Sequence, residues 1–191
     1  PSWLDPALEV DASRDLPDDL AAFVRAQWAV LADMGLARDQ AAEFIAHAAT
    51  ECGRGRRAFA FNMFGAKLRE REYAEAVAKT GRGLRWWRDL GHVESGDDEV
   101  ELYRGFDDAP TAWRWFAKKT APRYPNSADR YAAAGRAFHS DDPSGWFIAI
   151  LAAGYRGARR AAEIAALRDP ETHPSVVAHR KLVARVRELM R

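Results

Sequence analysis

Glu51 is the residue whose position in this sequence most directly suggests chemistry. It ends a segment in which apolar residues recur at the spacing of one helix face, namely Ala41, Phe44, Ile45, Ala48 and Ala49. At about 100° per residue, Glu51 projects roughly 20° from Phe44, on the apolar face. An apolar setting favours the protonated carboxyl that general acid catalysis requires. The pattern predicts a general acid at Glu51. The alternative is an acid that reaches water where the helix ends, because Gly53 and Gly55 are typical of helix ends and loops.

Two short motifs lie around and after this acid. They read Thr50-Glu51-Cys52-Gly53-Arg54-Gly55 and Asn62-Met63-Phe64-Gly65-Ala66-Lys67. Together they resemble the glucosaminidase family of peptidoglycan hydrolases, which includes flagellar rod hydrolases and cell-wall autolysins. That family has roughly Glu-Ser-Gly-Trp-Gly followed by Asn-Asn-Leu-Phe-Gly-Ile-Lys. The resemblance spans about residues 16–191 and is weakest over 68–100. Two coupled motifs at a compatible separation are more specific than either motif alone.

The resemblance also implies roles for individual residues. Glu51 would be the general acid, and an acid on a hairpin, Glu94 by position, would be the second catalytic carboxylate; Asp89, Asp97 and Asp98 compete for that role. Tyr155, in Ala153-Gly154-Tyr155, would assist the reaction from the cleft. Asn62, Phe64 and Gly65 would form part of the substrate-binding site. Asn62 would hydrogen-bond locally or to sugar, Phe64 is equally compatible with a core position, and Gly65 would permit a tight turn.

Two departures from the family pattern affect the site. Arg54 stands where the family has tryptophan, and Arg156-Gly157 stands where it has Ala-Thr. The expected activity is cleavage of β-1,4 bonds of the glycan strand by an endo-β-N-acetylglucosaminidase. The alternatives are a muramidase, a lytic transglycosylase, or a non-catalytic glycan-binding component of a phage tail or secretion device. A distant second acid would imply inversion, and without one the acetamido group of the sugar would assist.

The composition limits the partners. The 191 residues carry 29 basic and 28 acidic side chains, so the balance gives no field that would attract nucleic acid. Seven Trp and nine Phe suit sugar stacking as well as a core. We expect no cofactor and no metal, because His47 and Glu51 share a helix face without a third ligand. His47 and Cys52 lie about 140° apart on a helix, which argues against a thiol and its base.

The cellular setting follows from the same sequence. Cys52 is the single cysteine, so no internal disulfide is expected, and no apolar run is long enough to span a membrane. No charged and then apolar leader opens the sequence. We expect the periplasm or cell wall as the site of action. The delivery route and any immunity protein are left open.

The expected fold is mainly α and lysozyme-like with a small β-hairpin lobe, in one domain over residues 18–191 after an arm at 1–17. Asp18 and Asp19 predict a helix start and Gly35 its end, while Asp39 predicts the cap of the Glu51 helix. Period-two alternation around residues 94–98 predicts the hairpin. Four further features predict helices, namely the charged segment 68–79, Pro110, the pair Asp142-Pro143, and the apolar spacing over 176–190.

Overall fold

The computed structural model describes residues 2–9, 16–17, 19–53, 59–89 and 101–191, and these residues are mainly helical. The helices are α1 (Leu20–Asp33), α2 (Arg38–Glu51), α3 (Glu70–Thr80), α4 (Ala109–Thr120), α5 (Ala132–Phe138), α6 (Gly145–Ala152), α7 (Ala158–Ala165) and α8 (Pro174–Leu189). Short 3₁₀ turns occupy Pro6–Leu8 and Pro170–Thr172. None of the described helices combines the length and the apolar character that crossing a bilayer requires.

Two strands form the one sheet of the described residues. Strand β1 (Trp86–Asp89) pairs antiparallel with β2 (Glu101–Arg104), and Trp86 lies opposite Arg104. The predicted class, mainly α with a small β-hairpin, is confirmed.

The chain divides into two compact units. The first unit contains Pro1–Phe23 and Ala48–Ala112, and the second contains Val24–His47 and Trp113–Arg191. The boundaries fall inside α1 and α2 and just after Ala112 in α4.

The N-terminal segment packs within the first unit. The rings of Trp3 and Tyr73 meet edge to face with 5.5 Å between their centroids. Leu4 and Leu8 pack against a small core cluster that contains Leu68, Tyr73 and Trp86. The segment is also tied by polar contacts, because Tyr73 Oη accepts a hydrogen bond of 2.7 Å from the backbone N–H of Asp5.

Some helix ends follow the predicted caps and others do not. Asp19 caps α1, since its Oδ2 accepts a hydrogen bond of 2.8 Å from the Ala22 N–H. Asp39 lies in the first turn of α2 instead of capping it, because the helix already begins at Arg38. Its carboxylate forms an ion pair with Arg187 at 2.8 Å instead. Helix α6 begins at Gly145, after a turn in which Asp142 Oδ1 accepts from the Ser144 N–H, so the predicted start was two residues early.

The core of the second unit is aromatic. The Phe44 ring stacks on Phe138 with centroids 4.2 Å apart and lies 5.7 Å from the parallel ring of Trp113. Trp146 completes the group at 5.0 Å from Phe44. This packing buries the face of α2 that the apolar spacing predicts, and it fixes the helix whose last residue is Glu51.

A buried polar network also holds α2. Glu43, only 1% exposed, accepts a hydrogen bond of 2.8 Å from His179 Nε2 in α8, and Arg180 Nη1 approaches its other oxygen at 3.4 Å. Arg180 in turn donates to the carbonyl of Ser144 and pairs with Glu171 at 2.7 Å. Burial lowers the pKa of His179, and this effect outweighs the opposing attraction of Glu43. His179 is therefore held as a neutral donor to the carboxylate.

Candidate active site

Glu51 is the last residue of α2 and is half-buried. Every residue of the helix from Ala41 to Ala49 is buried, so the carboxyl lies where the buried face of the helix ends. Gly53 follows with φ of 60°, a left-handed conformation that lets the chain leave the helix at once. Cys52 between them is buried, as expected of a small packed side chain. The helix end therefore holds Glu51 at the border of the core.

The second motif forms a tight turn that Asn62 holds from the inside. Asn62 is 2% exposed, and its Oδ1 accepts hydrogen bonds from the N–H groups of Ala66, at 2.9 Å, and Phe64, at 3.3 Å. Its Nδ2 donates to the Ala66 carbonyl at 2.9 Å. Of the two roles predicted for Asn62, the structure contains the local hydrogen bonds. Phe64 is buried, and Gly65, with φ of 58°, is exposed and permits the turn.

Backbone strain precedes this turn. Ala60 and Phe61 have φ of 47° and 56°, although L-residues pay roughly 1–2 kcal/mol for this region. Hydrogen bonds fix the strained pair, because the Phe106 N–H donates to the Ala60 carbonyl at 2.8 Å and the Asn62 N–H donates to the Phe59 carbonyl at 2.8 Å. Strain of this kind is concentrated at functional sites. Alanine and phenylalanine carry no sequence signal for this conformation, so sequence reasoning missed it.

The turn is joined to the β-hairpin by backbone hydrogen bonds. The Leu68 N–H donates to the Leu102 carbonyl, and the Arg104 N–H donates to the Ala66 carbonyl, both at 2.9 Å. Lys67 thereby forms an isolated bridge with Tyr103. The segment after the turn therefore pairs with β2 by backbone hydrogen bonds, and these bonds hold the turn against the hairpin.

An aromatic cluster covers one face of the hairpin. Trp87 and Tyr103 are cross-strand neighbours whose rings stack with 4.6 Å between centroids. Phe59 meets the Trp87 ring edge to face at 4.9 Å. The Trp87 indole N–H is buried and has no hydrogen-bond partner among the described residues. Tyr103 and Phe59 keep part of their surface exposed, so the cluster presents aromatic edges beside the motif turn.

Tyr155 belongs to the second unit and follows the end of α6. Its N–H donates to the Ile150 carbonyl at 3.0 Å, and its half-buried ring meets His47 edge to face at 4.9 Å. Arg130 Nε donates to the Ala153 carbonyl at 2.6 Å, and Nη2 donates to the Gly154 carbonyl. Arg130 therefore clamps the backbone that presents Tyr155, a role without a local sequence signal.

His47 is fully buried in the second unit among aromatic rings. It stacks on Phe116 at 5.4 Å and meets Trp146 edge to face at 5.5 Å, and neither ring nitrogen has a hydrogen-bond partner among the described residues. Burial lowers the pKa of His47 well below its usual value, and repulsion from Arg156, together with repulsion from His179 once that ring is protonated at lower pH, adds to the effect. Within the described residues no group of three His, Cys, Asp or Glu side chains is arranged to hold a metal ion.

The structure places the predicted site residues in different parts of the molecule. Glu51, Asn62, Phe64 and Gly65 all belong to the first unit, and Tyr155 belongs to the second. Other predicted positions, Glu94, Asp97, Asp98 and Arg54, lie outside the described residues, and Asp89 is described only as part of the β1 backbone.

Comparison with known proteins gives no relative for this chain: no protein-family model, curated protein or solved structure matches it. The resemblance to the glucosaminidase family, and the lysozyme-like fold it implies, stay predictions.

Proposed function

We propose that this chain is a peptidoglycan hydrolase that cleaves β-1,4 glycosidic bonds of the glycan strand as an endo-β-N-acetylglucosaminidase, with Glu51 as the general acid. The substrate is then the glycan strand of peptidoglycan, the site of action is the periplasm or cell wall, and the acid chemistry needs no cofactor.

One observation carries the proposal. Glu51 is a half-buried carboxyl at the end of a helix whose preceding turns are buried, and it shares a compact unit with the Asn62 turn and the aromatic hairpin. A carboxylic acid next to the scissile bond is the group that general acid catalysis of glycoside cleavage requires. Aromatic rings such as Tyr103 and Phe59 can stack on the apolar faces of sugar rings, which suits a glycan substrate.

In this reaction Glu51 donates its proton to the glycosidic oxygen while the bond from that oxygen to C1 of the sugar breaks. Positive charge develops on the sugar ring, and water adds at C1 in place of the leaving group. The proton that this water releases goes to a base in the site, and Glu51 is again protonated before the next cycle. The second group that supports this charge is a carboxylate or the acetamido oxygen of the substrate. The roles of Glu94 as that carboxylate and of Tyr155 as an assisting group stay predictions.

The test is digestion of purified sacculi by the full chain, followed as release of soluble fragments. Glu51→Gln keeps the shape of the side chain and removes the acid, so the rate is expected to fall by about 10²- to 10⁴-fold. The matched control is Glu75→Gln, which changes an exposed acid on α3 that pairs only with Arg71 among the described residues. Full activity of Glu51→Gln, with a folded far-UV circular dichroism spectrum, would refute the assignment of the acid.

Mass spectrometry of the fragments decides which bond is cut. N-acetylglucosamine at the new reducing end supports the proposal. N-acetylmuramic acid there identifies a muramidase, and an anhydro sugar identifies a lytic transglycosylase. Binding to sacculi with no fragment released by the wild-type chain would identify a non-catalytic glycan-binding protein.

A further inference from the structure

An arginine-lined cleft lies within the first unit. Its volume is about 300 Å³, and its walls come from the end of α3, the segment between α3 and β1, the end of β2 with the segment that follows it, and the first turn of α4. The lining includes Thr80, Arg82, Arg85, Arg104 and Phe106. A cleft of this volume is at the lower end of the range for small-ligand sites, which fits one or two amino-acid residues.

The cleft is positively charged. Three arginines line it, and Asp107 is the single acidic residue among the described residues of the lining, with 74% of its side chain exposed. Arg85 donates to the Phe106 carbonyl at 3.2 Å and lies 3.7 Å from Asp107, both through Nη1. These two contacts orient the Arg85 guanidinium through one of its nitrogens. Arg82 is exposed and makes no ion pair within the described part of the chain.

Arg104 is the most deeply placed of the three arginines. Only 17% of its side chain is exposed, and its guanidinium lies over the Phe106 ring at 5.1 Å from the centroid. Its Nη1 lies 3.9 Å from Glu72 Oε2. Burial lowers the pKa of Arg104, and the attraction of Glu72 only partly opposes this effect. Arg104 thus places a largely buried positive charge in the wall of the cleft.

We propose that this cleft binds a carboxylate of the peptide stem that peptidoglycan carries along its glycan strand. A guanidinium fork matches the two oxygens of a carboxylate, and several arginines around a small cleft favour a flat anion on a short chain. The inference rests on the proposed function, because that function supplies a substrate in which acidic peptides hang beside the glycan. Binding of the peptide stem would position the glycan strand on the enzyme. The enzyme would then prefer glycan that still carries its peptides.

The test measures binding separately from hydrolysis. Isothermal titration calorimetry uses the full-length Glu51→Gln protein and two synthetic stem tetrapeptides, one with free carboxylates and one with every carboxylate converted to an amide. We expect the acidic peptide to bind at least about tenfold more tightly than the amide, and Arg82→Gln and Arg85→Gln each to weaken it by about tenfold. Arg71→Gln, an exposed arginine of α3 outside the cleft lining, is the matched control and is expected to bind like the parent.

Three results would overturn the proposal. The first is the absence of peptide binding at millimolar concentration, and the second is equal affinity for the acidic peptide and the amide. The third is an Arg82→Gln protein that is folded and binds the acidic peptide as tightly as the parent; Arg82 is exposed, so this variant is expected to fold. Competition by inorganic phosphate as strong as that of the peptide would also overturn it, because the cleft would then be a general anion site.

A parallel digestion separates this inference from the proposed function. The wild-type chain is given intact sacculi and glycan strands from which an amidase has removed the peptides. Digestion of both at equal rates overturns stem recognition while leaving the hydrolase intact. Specific binding of the acidic peptide without digestion of either glycan refutes the hydrolase and supports the cleft.

Discussion

Replacing His47 with phenylalanine is expected to remove part of the acid sensitivity of the fold. His47 is enclosed by Phe116, Trp146 and Tyr155, and its two ring nitrogens have no hydrogen-bond partner among the described residues. Its pKa is well below the ordinary value, chiefly because burial disfavours the imidazolium. The folded chain therefore keeps His47 neutral at pH values where the unfolded chain protonates it.

The size of the effect follows from linkage. In the unfolded chain the histidine pKa is about 6.5. Above that pH His47 is neutral in both the folded and the unfolded chain, so its ionisation does not change the free energy of unfolding. As the pH falls below about 6.5, the unfolded state binds one proton that the folded state refuses. Stability then falls towards acid, by about 1.4 kcal/mol at pH 5.5 and by about that much again for each further pH unit. His179, whose pKa is also lowered, adds a smaller loss in the same direction.

The assay is urea denaturation followed by tryptophan fluorescence and far-UV circular dichroism at pH 7.5, 6.5 and 5.5. Between pH 7.5 and 5.5 the free energy of unfolding of His47→Phe should fall by about 1.4 kcal/mol less than that of the wild type. An unchanged pH dependence in His47→Phe would refute the reasoning, because His47 would then ionise equally in both states.

Two further substitutions test the contacts that shape the candidate site and hold α2. Asn62→Ala leaves buried N–H groups of the motif turn without an acceptor, so the free energy of unfolding in a urea titration should fall by about 2 kcal/mol. The control Asn126→Ala removes a similar contact from an exposed turn and should lower it by under about 1 kcal/mol. Glu43→Ala removes the carboxylate that His179 Nε2 and Arg180 Nη1 contact, so the free energy of unfolding should fall by about 3–5 kcal/mol in thermal or urea unfolding. A fall below about 1 kcal/mol would mean that these buried contacts contribute little to stability.

Local sequence patterns predicted most of the secondary structure. The buried face of α2, the Asp19 cap of α1, the two strands and the left-handed Gly65 turn all depend on contacts within a few residues, where periodicity and residue type carry the information. The errors at Asp39 and Asp142 are of the same local kind. Each aspartate suited a cap by residue type, but α2 already begins at Arg38, where Asp39 pairs with Arg187, and a turn that contains Asp142 precedes α6.

The sequence by itself determined the mainly helical class, the small hairpin and the position of Glu51 at the end of a buried helix face, because backbone hydrogen bonding repeats over short spans. Only the tertiary structure decided that Asn62 turns its amide into its own loop, that Ala60 and Phe61 accept strained backbone, and that Glu43 meets His179 across 136 residues of chain. The arginine-lined cleft belongs to the second group, since α3, β2, α4 and the segments between them supply its walls. Burial and partner choice depend on which distant segments pack together, and no local spacing encodes that.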